Sequence, residues 1–203
     1  MESLFNGYTS RRSPVRSGPQ PWDEMFPSEV LPGGSEVRLP YQDMYPALAG
    51  MDDAELRART DALASSYLAQ GVTFDFAGEE RPFPLDVVPR VLAADDWTYV
   101  ESGVKQRVRA LEAFLADVYG PQLAVHDGVI PASLISSSSH FHRQAAGIVG
   151  ANGVRIHVAG IDVIRDEKGA WRVLEDNVRV PSGVWDVMTN RSAMLTAMPA
   201  AFS

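Results

Sequence analysis

Three residues late in the sequence, Asp162, Glu175 and Asn177, have types and spacing that suit cation chemistry. They lie on two β-prone runs between Gly160 and Asn177 that flank a Glu167-Lys168-Gly169-Ala170 turn, the pattern of a β-hairpin. With Asp166 opposite Trp171, facing residues have numbers summing to 337, so Asp162 opposes Glu175. Side chains alternate with period two, which puts Asp162, Glu175 and Asn177 on one face. Directly opposed Cβ atoms are about 4.5–5.5 Å apart, and like charges there repel. A divalent cation answers that repulsion, and hard oxygen ligands favour Mg²⁺ or Mn²⁺ over zinc. A slip of one residue would send one carboxylate to the opposite face. Two other readings stand beside this one. The acids could be exposed at a sheet edge and answered by Arg155, Arg165, Arg172 or Arg179. Paired carboxylates also serve glycoside hydrolysis, but that needs stacking aromatics, and only Trp171 and Trp185 lie nearby.

The elements that must position these residues are legible upstream. Val154, Ile156 and Val158 alternate with Arg155 and His157, which predicts β structure from residue 153. Val104, Val108, Leu111, Leu115 and Val118 step by 4, 3, 4 and 3, a helical stripe that stops at Tyr119-Gly120-Pro121. The other faces of this helix carry Lys105, Arg107 and Arg109, either a solvated surface or an anion-facing side. An earlier helix opens at Asp52 with capping-box spacing to Glu55, buries Leu56, Leu63, Tyr67 and Leu68, and ends at Gly71. Val72–Phe76 alternates as a strand, and Gly78 with Pro82 to Pro84 marks turns around a polar loop. Seven of the 14 prolines fall in the first 50 residues, which limits regular structure there. Residues 1–21 read as a flexible arm. Trp22, Met25, Phe26, Tyr41, Met44 and Tyr45 then predict an extended segment that wraps a body and docks by its large apolar side chains.

Composition narrows the function classes. The chain has 203 residues, 45% of them apolar and 22% charged, which is globular in character. With 18 basic and 26 acidic residues the net charge is −8, which disfavours nucleic acid and anionic membranes as partners. There is no cysteine, so thiolate chemistry and disulfides are absent and a reducing cytoplasm fits. No apolar run is long enough for a membrane span, and no secretory signal is evident at the N-terminus. His140-Phe-His142 lacks a third zinc ligand in view, and Ser136 to Ser139 lacks a nucleophile elbow. His157 reads as a structural histidine and His126 as turn chemistry. No P-loop sequence occurs.

Glu175-Asp-Asn177, followed by Pro181-Ser182-Gly183, resembles the Glu-x-Asn…Pro-Gly element of ATP-grasp ligases. The wider run from Val158 to Gly183 is similar to the circularly permuted ATP-grasp family, relatives of glutathionylspermidine-synthase-like ligases. Trp22–Phe26, Gln70–Phe74, Pro82–Arg90, Gly103–Phe114, Asp127–Pro131 and Ser139–Phe141 agree with it. The likeness covers about residues 22–200, which sets 22–203 as one partial domain of α+β fold, with two main helices and a C-terminal mixed or antiparallel sheet. It implies an ATP-dependent ligase that joins a small-molecule or peptide carboxylate to an amine through an acyl phosphate. It further implies Asp162, Glu175 and Asn177 as Mg²⁺ ligands, Arg179 as the partner of a phosphate or carboxylate, and Lys105, Arg107 and Arg109 as ATP-binding candidates. The family pattern has an acid where Thr189 stands. The likeness also matches only about the first half of that pattern, so a missing C-terminal half on another chain is an expected partner. The alternative reading is a noncatalytic remnant that serves as a binding or assembly module.

Overall fold

The structure, a computed structural model, describes residues 4–5, 22–27, 36–181 and 183–199, without the side chains of 184–186. In chain order the longer elements are α1 (Tyr45–Ala49), α2 (Asp53–Gln70), β1 (Thr73–Phe76), β2 (Glu79–Pro82), α3 (Ala94–Val118), α4 (Leu123–His126), α5 (Ala132–Ser136), β3 (Gly160–Arg165), β4 (Trp171–Asn177) and α6 (Gly183–Ala197). Helices and strands are both present, as an α+β fold requires. Among the described residues the strands form two two-stranded antiparallel sheets, β1–β2 and the C-terminal β3–β4. The chain divides into two compact units: residues 1–93, 164–172 and 182–203, and residues 94–163 and 173–181.

The first unit holds the main core. Asp52 caps α2 by accepting from the Glu55 amide at 2.9 Å, and Gly71 closes it in the left-handed conformation. Leu63 and Tyr67 of α2 are buried, whereas Leu68, expected on the same stripe, is half exposed. Met25, Phe26, Tyr41 and Met44 join Leu48, Met51, Ala193, Met194 and Met198 in one cluster, with Tyr45 packed against it. The aromatic-rich segment after residue 21 therefore docks as its composition suggests. The arm itself lies outside the described residues, apart from 4–5. Residues 78–84 are not a plain loop. Glu79–Pro82 pairs with β1 in the register Thr73↔Pro82 and Phe76↔Glu79, because Ala77 and Gly78 both take positive φ and make a two-residue hairpin turn.

Helix α6 is a third long helix that lacked a clean periodic signal. It docks on α2, where Tyr67 Oη donates to Asn190 Oδ1 and Arg59 Nη1 donates to the Ala197 carbonyl at 2.7 Å. Thr189 of α6 is also buried in this unit. The tip of the β3–β4 hairpin also belongs to this unit. Arg165 stacks over the Trp171 ring at 4.2 Å, and Trp22 lies 3.9 Å from Arg38.

The second unit is built on α3. Val100 and Val118 are buried, and Val104, Val108, Leu111 and Leu115 are half-buried, as the stripe predicts. Asp117 accepts from the Leu123 and Ala124 amides at 2.7 and 2.9 Å, capping α4. Residues 154–159 are not a strand. Glu112 of α3 accepts from the Arg155 and Ile156 amides at 2.9 and 2.8 Å, so a carboxylate takes bonds that a ladder would have made. Trp97, Tyr99, Leu123, Val129, Leu134 and Val149 of this unit are exposed.

Candidate functional site

The β3–β4 hairpin forms, but its turn differs from the expected one. The Asp166 amide donates to the Ala170 carbonyl at 3.0 Å, so Asp166 opposes Ala170, not Trp171. The Gly169 amide closes the turn onto the Asp166 carbonyl at 2.9 Å with Gly169 at φ +76°. The Asp166 carboxylate accepts from the Lys168 and Ala170 amides. These bonds shorten the loop by one residue, and they, with Arg172, hold the Asp166 carboxyl below its usual range.

At the open end the neighbours are different. A Cβ added to Gly160 would lie 3.7 Å from the Asn177 Cβ, so Gly160 and Asn177 share a face. Five residues of β3 (161–165) and six of β4 (171–176) separate this pair from the Asp166/Ala170 pair. One residue of β4 is therefore unmatched, which is the count of a β-bulge. Alternation from Gly160 then puts Asp162 on the face that carries Asn177. On that face Asn177 Nδ2 donates to Glu175 Oε1 at 2.8 Å. This bond leaves Asn177 Oδ1 and Glu175 Oε2 as acceptor oxygens. A donor set of two carboxylate oxygens and one amide oxygen is of the kind that suits Mg²⁺ or Mn²⁺. Among the described residues no three His, Asp or Glu side chains group as a cation cage.

The arginines divide into two kinds. Arg107 Nε and Nη2 donate to the two Asp176 carboxylate oxygens, each at 2.6 Å. This bidentate bond holds the Asp176 carboxyl below its ordinary range and raises the Arg107 guanidinium. Lys105 pairs with Glu101 at 2.8 Å along α3. Arg109 and Arg179 are exposed and form no ion pair or hydrogen bond among the described residues. Asp176 was the residue missed from sequence. Its signal was a third acid between two candidate ligands, but its partner lies 69 residues away. Ser182 lies outside the described residues. His140 and His142 are exposed and sit on no strand.

A sequence profile described as a circularly permuted ATP-grasp matches residues 89–203, more than half of the chain and all of this hairpin. The chain belongs to the circularly permuted ATP-grasp family. A Mycobacterium tuberculosis (strain H37Rv) relative is 52% identical over 202 residues, covering 100% of this chain and 35% of the relative. A Synechocystis relative is 46% identical over 136 residues, 65% of this chain and 28% of its own length. A Frankia casuarinae relative bearing the name "Putative glutamate--cysteine ligase 2-2" is 40% identical over 173 residues, 84% of this chain and 20% of that relative. The chain thus spans about a third or less of the relatives it matches here. No helix among the described residues of this ATP-grasp chain is long and apolar enough to cross a membrane.

Proposed function

We propose that the chain provides the cation corner of an ATP-dependent carboxylate–amine ligase. The observation that carries this reading is the Glu175–Asn177 hydrogen bond on the Asp162 face, inside the segment that matches the family. Asp162, Glu175 and Asn177 would hold Mg²⁺ or Mn²⁺, which supplies charge neutralisation at the phosphate oxygens when bound. Arg179, exposed and without a partner among the described residues, is suited to a phosphate or substrate carboxylate through its planar fork. Arg109 and Lys105 remain candidates for the nucleotide. In the reaction a substrate carboxylate oxygen attacks the γ-phosphorus of ATP and ADP leaves. An amine then attacks the acyl carbon, phosphate leaves, and the amine loses a proton. The ligase name of the Frankia relative is consistent with this bond type.

Calorimetric titration of the chain with Mg²⁺ and ATP tests the proposal, with Glu175→Ala in parallel. Saturable binding that disappears in the variant is the expected result. Equal binding by both proteins overturns the corner.

A second reading, a noncatalytic binding or assembly module, is favoured by the exposed Trp97, Tyr99, Leu123, Val129 and Leu134 of the second unit. A polypeptide matching the remaining length of the relatives is the partner this reading needs. It predicts no heat with ATP but co-elution with that polypeptide.

A further inference from the structure

We propose that Arg107 is a positioning residue that fixes the orientation of β4, through Asp176, for the two side chains of the candidate cation corner. The inference rests on the proposed role of Glu175 and Asn177. Asp176 lies between them in sequence, so its side chain leaves the strand on the opposite face. A bidentate bond with both contacts at 2.6 Å constrains rotation of that strand as well as its distance from α3. Asp176 is only 19% exposed, so the contact is partly shielded from water. The same helix takes a second hold five residues on. Glu112 grips the amides of Arg155 and Ile156, four residues before β3 begins. Helix α3 therefore holds the approach to one strand and the far end of the other. This role differs from nucleotide binding, because the Arg107 fork is already occupied by Asp176.

The test is Mn²⁺ binding to the 203-residue chain without nucleotide, followed by electron paramagnetic resonance. Electrostatics alone predicts that Arg107→Met, by removing a nearby cation, tightens Mn²⁺ binding. Positioning predicts the opposite sign, a loss of about tenfold. Asp176→Asn is expected to lose at least as much. Arg107→Lys keeps the charge without the fork and is expected to fall between wild type and Arg107→Met. Arg107 is 44% exposed, and an ion pair open to water on one side adds little to stability, so melting midpoints are expected to stay near wild type. Should Arg107→Met unfold, Arg107→Lys decides: full wild-type affinity in that variant overturns the inference. Unchanged or tighter Mn²⁺ binding by Arg107→Met, with Glu175→Ala inactive in binding, overturns the positioning role alone. Weaker ATP binding with unchanged Mn²⁺ binding in Arg107→Met also overturns it and makes Arg107 a nucleotide contact. Mn²⁺ binding that Glu175→Ala leaves intact overturns the corner itself, and the Arg107 role with it.

Discussion

Gly169 lies directly against the ring of Trp22. A Cβ built on Gly169 would sit 2.7 Å from Cη2 and Cζ3 of that indole, and the residue has φ +76°. Both facts demand glycine at the hairpin tip, the second because a side chain is strained in the left-handed region. Trp22 is held in turn by Arg38 at 3.9 Å.

Gly169→Ala is therefore expected to destabilise the protein by about 1–3 kcal/mol, from strain and overpacking together. Chemical denaturation followed by tryptophan fluorescence measures it. An unchanged midpoint would mean that the indole is not seated on the turn.

Tyr67 is fully buried and its hydroxyl donates to Asn190 on α6. Tyr67→Phe keeps the ring and removes the donor, leaving the Asn190 carbonyl without it. The expected cost is about 1–2 kcal/mol, read as a lower urea midpoint at constant slope. A neutral result would show that water replaces the bond at no cost.

Thr189, where the resemblance leads one to expect an acid, is only 9% exposed. Thr189→Glu would bury a carboxylate and enlarge a packed side chain. We expect a loss of about 1–3 kcal/mol by thermal melting. A variant as stable as wild type would mean that the acid finds a polar outlet here.

Glu112 gives a pH signature. Its carboxyl is held below the usual value of 4.5, first by the Ile156 amide and then by the Arg155 amide and guanidinium. A depressed folded-state value means that its contribution is complete above about pH 4.5 and fades as the pH falls through the lower folded-state value. Glu112→Gln is expected to be less stable at pH 7, with the gap to wild type narrowing in acid. Parallel denaturation curves at pH 7, 4.5 and 3 check this, and a gap that widens in acid reverses the sign.

Local chemistry made part of this fold legible. Asp52 and Gly71 announce the ends of α2 by cap chemistry alone, and the α3 stripe repeats over five apolar positions. The hairpin was legible too, but the register at its tip was not. Asp166 draws in the Lys168 and Ala170 amides, and this shortened the loop by one residue. What failed depended on distant residues. The alternation at 154–158 looks like a strand, but Glu112, 43 residues upstream of Arg155, binds the backbone first. Helix α6 was hidden because its sequence carries apolar residues without a regular helical step, while burial selects Thr189, Ala193 and Met194 within it. At the candidate site the Asn177–Glu175 bond agrees with the two-residue spacing that puts both side chains on one face of β4. The Arg107–Asp176 bond was not legible, since nothing in either local sequence names the other.

The core of the first unit uses Leu63 and Tyr67 from early in the chain and Ala193, Met194 and Met198 from near residue 200. On the ribosome the intervening residues 94–181 must be made first. At about 5–20 residues per second that is a wait of roughly 4–18 s. During it the apolar face of α2 has no α6 to cover it. A nascent chain stalled before residue 183 would present Leu63 and Tyr67 to chaperones, and release of α6 would end that exposure.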